Sequence, residues 1–210
     1  MFNFTPGDVT DEEFDRRQDL YGPFTQAVRE LVDATIRTEV DEATIRSVQA
    51  EIEQATARLR KEQLDGAFGV RVSASGRGMQ WGNAVVGLRN AIAPPLILNH
   101  DEVGRAWAEF DLGAAYEGPP GLVHGGMSAM ILDHILGATA SYGRGVNFTG
   151  TLEVKYLRGT PLGPLRTDAW IDRVDRFKTF ARGTISDADG VTVEANGVFI
   201  VPKWARETDE

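Results

Sequence analysis

Apolar residues recur along the chain with two different periods, and the point where the period changes divides it. Phe24, Ala27, Val28, Leu31, Val32, Thr35 and Ile36 fall on one helical face, and Ile45, Val48, Ile52, Ala55 and Leu59 continue in steps of three and four. Ahead of them, Thr10-Asp11-Glu12-Glu13 reads as a capping box, in which the Thr10 hydroxyl and the Glu13 carboxylate serve amides at a helix start. A short helix over 11–20 is predicted, with Gly22-Pro23 ending it and beginning the next, because proline fits a first helical position. The spacing leaves two possibilities for 23–65: one long helix, or two meeting near Asp41. Gly66 is the expected stop. The apolar stripe suits packing on another helix or a sheet better than a membrane surface, since acidic residues are mixed with its basic ones.

After Gly66 the period falls to two. Phe68, Val70, Val72 and Ala74 alternate, as do Ala106, Ala108, Phe110 and Leu112, and then Phe148, Leu152, Val154 and Tyr156. Further strands are predicted over 165–175, 177–187 and 191–201, with Asp187-Ala-Asp-Gly190 as a hairpin turn. The glycines between Gly66 and Gly87 suit a loop or hairpin, since no helix follows to make a phosphate loop. One segment, Gly121 to Ala140, is too long for a strand and apolar nearly all round, so it is predicted to be a buried helix. A buried helix among antiparallel strands gives an α+β fold in which the sheet wraps the helix.

Composition narrows the chemistry. The 210 residues carry a formal net charge of −9, which leaves no general field for a polyanion and counts against nucleic acid as a partner. No window approaches eighteen apolar residues, and the start MFNFTPGDVTDEE lacks a basic stretch before an apolar core; a cytoplasmic protein without a membrane span is expected. With no cysteine and only His100, His124 and His134, neither a thiolate nucleophile nor a thiolate metal site is possible, and little remains for a histidine one.

Candidate chemistry concentrates in Glu117-Gly-Pro-Pro-Gly-Leu-Val-His124-Gly125-Gly126, which opens the apolar helix, and in Asp133 inside it. The first amides of a helix have no intrahelical partner and sit at the positive end of its dipole, so Gly125 can stabilise an oxyanion, and Gly126 lets a substrate approach the backbone. Asp133 lies between Leu132 and Ile135, where an unpaired carboxylate is costly; it is either paired or catalytic. Eight residues, about 12 Å of helix, separate Gly125 from Asp133, too far for one chain to present both to one carbonyl. Two antiparallel copies of the helix across a two-fold axis would bring them together. His124 is read as fixing the turn, and His134, pointing elsewhere, as a packing or interface residue. Lys155, Arg158, Arg173, Arg176, Lys178 and Arg182 give the C-terminal strands local positive charge suited to phosphates, though solvated strand edges are an equal reading.

GPPGLVHGGMSAMILDHILGATAS, NFTGTLEVKYLRGTPLG, the ISDADG turn and VTVEANGVFIV together resemble the hot dog fold acyl-CoA thioesterases of the phenylacetate-pathway type, nearest the mitochondrial long-chain branch, over residues 91–202. The resemblance implies a helix wrapped by an antiparallel sheet in a hot dog domain over 91–204; an N-terminal helical extension over 1–66 and a connecting hairpin or loop over 67–90, read from the residue pattern, lie outside it. It also implies a homodimer or dimer of dimers with its sites at the interface. Gly125 would be the oxyanion donor, Asp133 of the other subunit the general base or nucleophile, and Thr149 a hydroxyl orienting the attacking water. No cofactor is implied beyond coenzyme A as part of the substrate. Many relatives have Asn or Gln where this chain has Gly118, which leaves the thioester carbonyl more to Gly125. Where relatives often read Gly-Arg-Lys, this chain has Arg176-Phe177-Lys178, so Lys155, Arg158 and Lys178 become its own candidates for the coenzyme A phosphates. Two other readings stay open: a non-catalytic acyl-CoA-binding protein, and a hot dog enoyl-CoA hydratase or dehydratase.

Overall fold

A computed structural model describes residues 5–206, and the chain divides into two compact units, Met1–Ile92 and Ala93–Glu210. In the first unit β1 (Thr5–Val9) pairs in parallel with β2 (Arg71–Ser73), which pairs antiparallel with β3 (Gly78–Met79). The helices are α1 (Asp11–Arg37) and α2 (Glu42–Leu59). Val9, Phe14, Met79 and Trp81 form the core, with Tyr21, Phe68 and Leu88 packed around them. Residues 1–4, the beginning of the predicted helical extension, lie outside the described residues.

Three expectations for this unit need correction. Gly22-Pro23 does not divide α1, which runs through Pro23 although the ring removes one backbone hydrogen bond at a cost of about 3 kcal/mol relative to alanine. Thr25, two residues on, is buried, and packing of this kind outweighs local propensity. The capping box is half made: Thr10 Oγ1 accepts from the Glu13 amide at 3.2 Å, but the Glu13 carboxylate turns to Arg16 and Arg17. Those guanidiniums hold its pKa down to about 2. Alternation over 68–74 yields only the short β2. The open question at Asp41 resolves as two helices, because Thr38–Asp41 is extended and the Asp41 carboxylate caps α2 by accepting from the Thr44 amide at 2.8 Å.

In the second unit β4 (Asn99–His100), β5 (Ala106–Leu112), β6 (Phe148–Tyr156), β7 (Gly163–Asp175), β8 (Lys178–Asp187) and β9 (Gly190–Ile200) form one antiparallel sheet in the order β4-β5-β7-β8-β9-β6. The helix α3 (Gly125–Ser141) leaves from beside β5, crosses β7, β8 and β9, and delivers the chain to β6 at the far edge. This is the hot dog arrangement; β5 to β9 lie close to the predicted strands, and the two-residue β4 was not foreseen. Ile131, Leu132, Ile135 and Leu136 of the helix are fully buried, as are Leu112, Ile185, Val193 and Phe199 of the sheet it crosses. Burial of each such side chain stabilises the fold by about 1.5–3 kcal/mol. Leu136 comes so close to the sheet that a Cβ on Gly183 would lie 2.5 Å from its Cδ1.

The predicted burial of the whole helix does not hold. Ala129, Met130, Asp133, His134, Gly137 and Ala138 form a half-exposed stripe along α3 in the single chain. The helix also starts later than predicted, at Gly125, because Val123 bridges to Glu117 and Leu122 to Pro161 as extended chain. Among the described residues no helix is long and apolar enough to cross a membrane.

The β8–β9 turn is fixed by Arg158, which donates to Asp187 at 2.7 Å and to the Gly190 carbonyl at 2.9 Å. The guanidinium lowers the Asp187 carboxyl from its ordinary 3.8 to about 2. A depressed folded-state pKa contributes stability above the unfolded value that disappears as pH falls through the folded one. Arg158→Gln should therefore melt below the parent by a constant margin between about pH 7 and 5, and that margin should close between about pH 4 and 2. Calorimetry across this range checks it; a margin independent of pH would show that the ion pair is not its source.

Candidate active site

The site is built at the start of α3 and on β6. Before the helix, the Gly118 amide donates to the Leu122 carbonyl at 2.9 Å, the Leu122 amide to Pro119 at 2.9 Å, and the Gly121 amide to Glu117 Oε1 at 2.7 Å. Gly121 takes φ +73, which glycine adopts without strain. This tight turn brings Gly118 against His124, where a Cβ on Gly118 would lie 2.7 Å from His124 Cα. Glycine at 118 therefore lets two stretches of backbone meet, and its amide is already used within the turn. Gly118→Ala must push them apart and is expected to cost about 1–3 kcal/mol, a size typical of overpacking, read as a lowered melting temperature. An unchanged melting temperature would refute the close approach.

His124 is the N-cap of α3, and its Nδ1 accepts from the Gly126 amide at 3.0 Å. Accepting at Nδ1 leaves Nε2 with the proton in the neutral ring. Gly126 is thereby committed, while the Met127 amide donates to the His124 carbonyl. As the first helical residue, Gly125 has no intrahelical acceptor for its own N–H. Tyr156 of β6 donates its hydroxyl to the Gly125 carbonyl at 2.8 Å, and its ring closes over the Cα, leaving 3.2 Å to an added Cβ. The sequence reading missed Tyr156 in this role; only its place in the strand alternation pointed to the helix-facing side.

Asp133 lies two turns further on, within the half-exposed stripe, and its Oδ1 accepts from Thr149 Oγ1 at 2.8 Å. Unbroken alternation with Leu152, Val154 and Tyr156 would put Thr149 on the opposite strand face. A β-bulge corrects this: Thr149 pairs with Phe199 and Thr151 with Val198, leaving Gly150 without a counterpart. One extra residue reverses the alternation, so Thr149 shares the helix-facing side with Tyr156. Because the hydroxyl donates to Asp133, Thr149 orients the carboxylate, leaving Oδ2 and its own lone pairs for a water. His134 is half-buried; burial lowers its pKa, and the neighbouring Asp133 charge opposes that shift.

The geometry thus brings Asp133 to Thr149, and His124 to Gly126, while Gly125 stands about 12 Å from Asp133 along the helix. Lys155 and Lys178 are exposed on β6 and at the start of β8. Arg158 is held by the β8–β9 turn. No cluster of three or more His, Cys, Asp or Glu able to hold a metal occurs among the described residues.

A crystal structure of a thioesterase superfamily protein superimposes with a TM-score of 0.77 at 34% identity, covering 86% of this chain and 94% of that one. The chain belongs to the thioesterase superfamily. The superfamily's own sequence model matches residues 120–194, which take in the turn, α3, β6, β7, β8 and the start of β9. Within this thioesterase superfamily chain the structural likeness covers more than the second unit alone, so it reaches into the first. Acyl-coenzyme A thioesterase THEM4 of Xenopus laevis is 35% identical over 94 residues, 43% of this chain and 42% of that protein. The match thus spans less than half of that curated relative.

Proposed function

We propose that the protein is an acyl-CoA thioesterase, hydrolysing an acyl-CoA to the free carboxylic acid and coenzyme A, and that it acts as a homodimer or dimer of dimers with its sites at the subunit interface. The observation that carries this is the Thr149–Asp133 hydrogen bond of 2.8 Å, which aims a carboxylate along the half-exposed stripe of α3. Superfamily membership and the similarity to an acyl-coenzyme A thioesterase support the substrate class. In this reading Gly125 of one subunit faces Asp133 of the other. The long edge strand β6, which among the described residues has only β9 beside it, is the place where a second sheet could continue the first.

Acting as a base, Asp133 takes a proton from water while the water oxygen attacks the thioester carbon. The carbonyl oxygen gains negative charge against the Gly125 N–H, and the C–S bond then breaks to release coenzyme A thiolate. Acting as a nucleophile, Asp133 itself attacks the thioester carbon and expels coenzyme A thiolate, and water then opens the mixed anhydride to the free acid and the Asp133 carboxylate. His124 keeps the first turn in place through Gly126, whose lack of a side chain lets the thioester approach the backbone, and Gly118 supports the site by letting the preceding turn close on His124. Lys155 and Lys178 are the cations we assign to the phosphates of coenzyme A. Arg158 can join them only while it still holds Asp187. Coenzyme A enters only as part of the substrate, and no other cofactor takes part.

A panel of acyl-CoAs of increasing chain length, assayed for free thiol, tests the reading. Chain-length-dependent thiol release is expected. Thermal stabilisation by acyl-CoA without thiol release would favour the binding protein instead.

A further inference from the structure

We infer that α2 is a self-association surface, pairing antiparallel with α2 of a second copy of this chain. None of its 18 residues is buried, and Ile45, Val48, Ile52 and Leu59 are among the exposed large apolar side chains of the molecule. An amphipathic helix of this length gains most of its stability from covering its apolar face, and nothing among the described residues of its own chain buries this one. The apolar positions 45, 48, 52, 55 and 59 follow the alternating steps of three and four that mark a two-helix seam.

The charges beside the seam choose the partner and the direction. Arg46 is paired with Glu42, and Glu53 accepts from Gln49. Glu51 and Arg58, which flank the seam, have no ion-pair partner among the described residues. Laid antiparallel so that Ile52 meets the partner's Ala55 and Val48 meets the partner's Leu59, two copies bring Glu51 beside the partner's Arg58, and the two-fold axis makes this pair twice. A parallel pairing sets Glu51 near the partner's Thr56 and gains no ion pair. The other antiparallel register, with Val48 on the partner's Ile52, sets Glu51 against itself.

The absence of cysteine from the chain makes the test direct. Val48→Cys, Leu59→Cys and the double variant, each in the full-length protein at tens of micromolar, are treated with a short bismaleimide and analysed by denaturing gel and mass spectrometry. Positions 48 and 59 of one helix are about 16 Å apart, beyond the reagent, and so are the two copies of either position in the inferred pairing. Covalent dimer is therefore expected from the double variant and not from either single one. Adding Glu51→Arg to the double variant should reduce the yield several-fold, and adding Arg58→Glu as well should restore it. No dimer from the double variant, as would follow if α2 docked elsewhere on its own chain, overturns the inference. So does cross-linking of Val48→Cys alone, the signature of a parallel pair or of the other antiparallel register. Neither outcome depends on whether the protein hydrolyses acyl-CoA.

Discussion

Asp133→Asn is expected to fold as the parent does and to lose acyl-CoA hydrolysis by about 10²- to 10⁴-fold, the range a positioned proton-transfer group supplies. The substitution keeps the shape of the side chain. An amide oxygen can still accept from Thr149 Oγ1, so the 2.8 Å contact between α3 and β6 survives and the melting temperature should barely move. What disappears is the negative charge that accepts a proton or attacks the carbonyl. Thr149→Ala removes one hydrogen bond to a charged group, about 1.5–3 kcal/mol, and should lower turnover by about 10²-fold or less. Because the hydroxyl works through the carboxylate, the double variant should be no slower than Asp133→Asn alone, a non-additivity expected of residues acting as one unit. Initial rates of thiol release, with circular dichroism to confirm folding, decide it. Turnover of Asp133→Asn within about tenfold of the parent would remove Asp133 from the reaction.

The long strands of the second unit were legible because they turn one face to the helix, which writes period-two alternation directly into the residues, whereas the two-residue β4 is too short to show a period. The apolar run of α3 was legible for the same reason, through its contacts with β7, β8 and β9. Its exposed stripe was not legible: residues such as Ala129, Met130 and Gly137 look apolar whether they meet their own sheet or another surface. Thr149 illustrates a second limit. Alternation assigns a strand residue to a face only while the count is unbroken, and the bulge at Gly150 breaks it. The glycine was the available signal, since a glycine inside a strand often marks a bulge. Gly118 and Tyr156 were hidden differently, because both act through contacts made by distant backbone, the His124 Cα and the Gly125 carbonyl. In the first unit Pro23 carried a strong local stop signal that packing around Phe14 and Thr25 overrode.

Two inactive variants are expected to restore activity to each other if the site is shared between subunits. Asp133→Asn lacks the carboxylate, and Gly125→Pro lacks the N–H assigned to the oxyanion. Proline suits this position for two reasons. It is the first residue of α3, where no intrahelical bond is lost, and His124 before it has ψ 127, the extended conformation that proline requires of its predecessor. The ring will press on Tyr156, 3.2 Å from the Cβ position, so Gly125→Pro must first be shown to melt cooperatively. Each variant alone should be nearly inactive. After joint denaturation and refolding, half of the dimers are mixed, and each mixed dimer holds one site with an intact Gly125 from one chain and an intact Asp133 from the other. About one quarter of all sites should then recover, by counting over a two-fold dimer. If Gly125 and Asp133 of the same chain served one substrate, no mixed dimer could contain an intact site. Mixed dimers identified by mass but inactive, with the proline variant folded, would place both groups in one subunit and remove the need for a shared site.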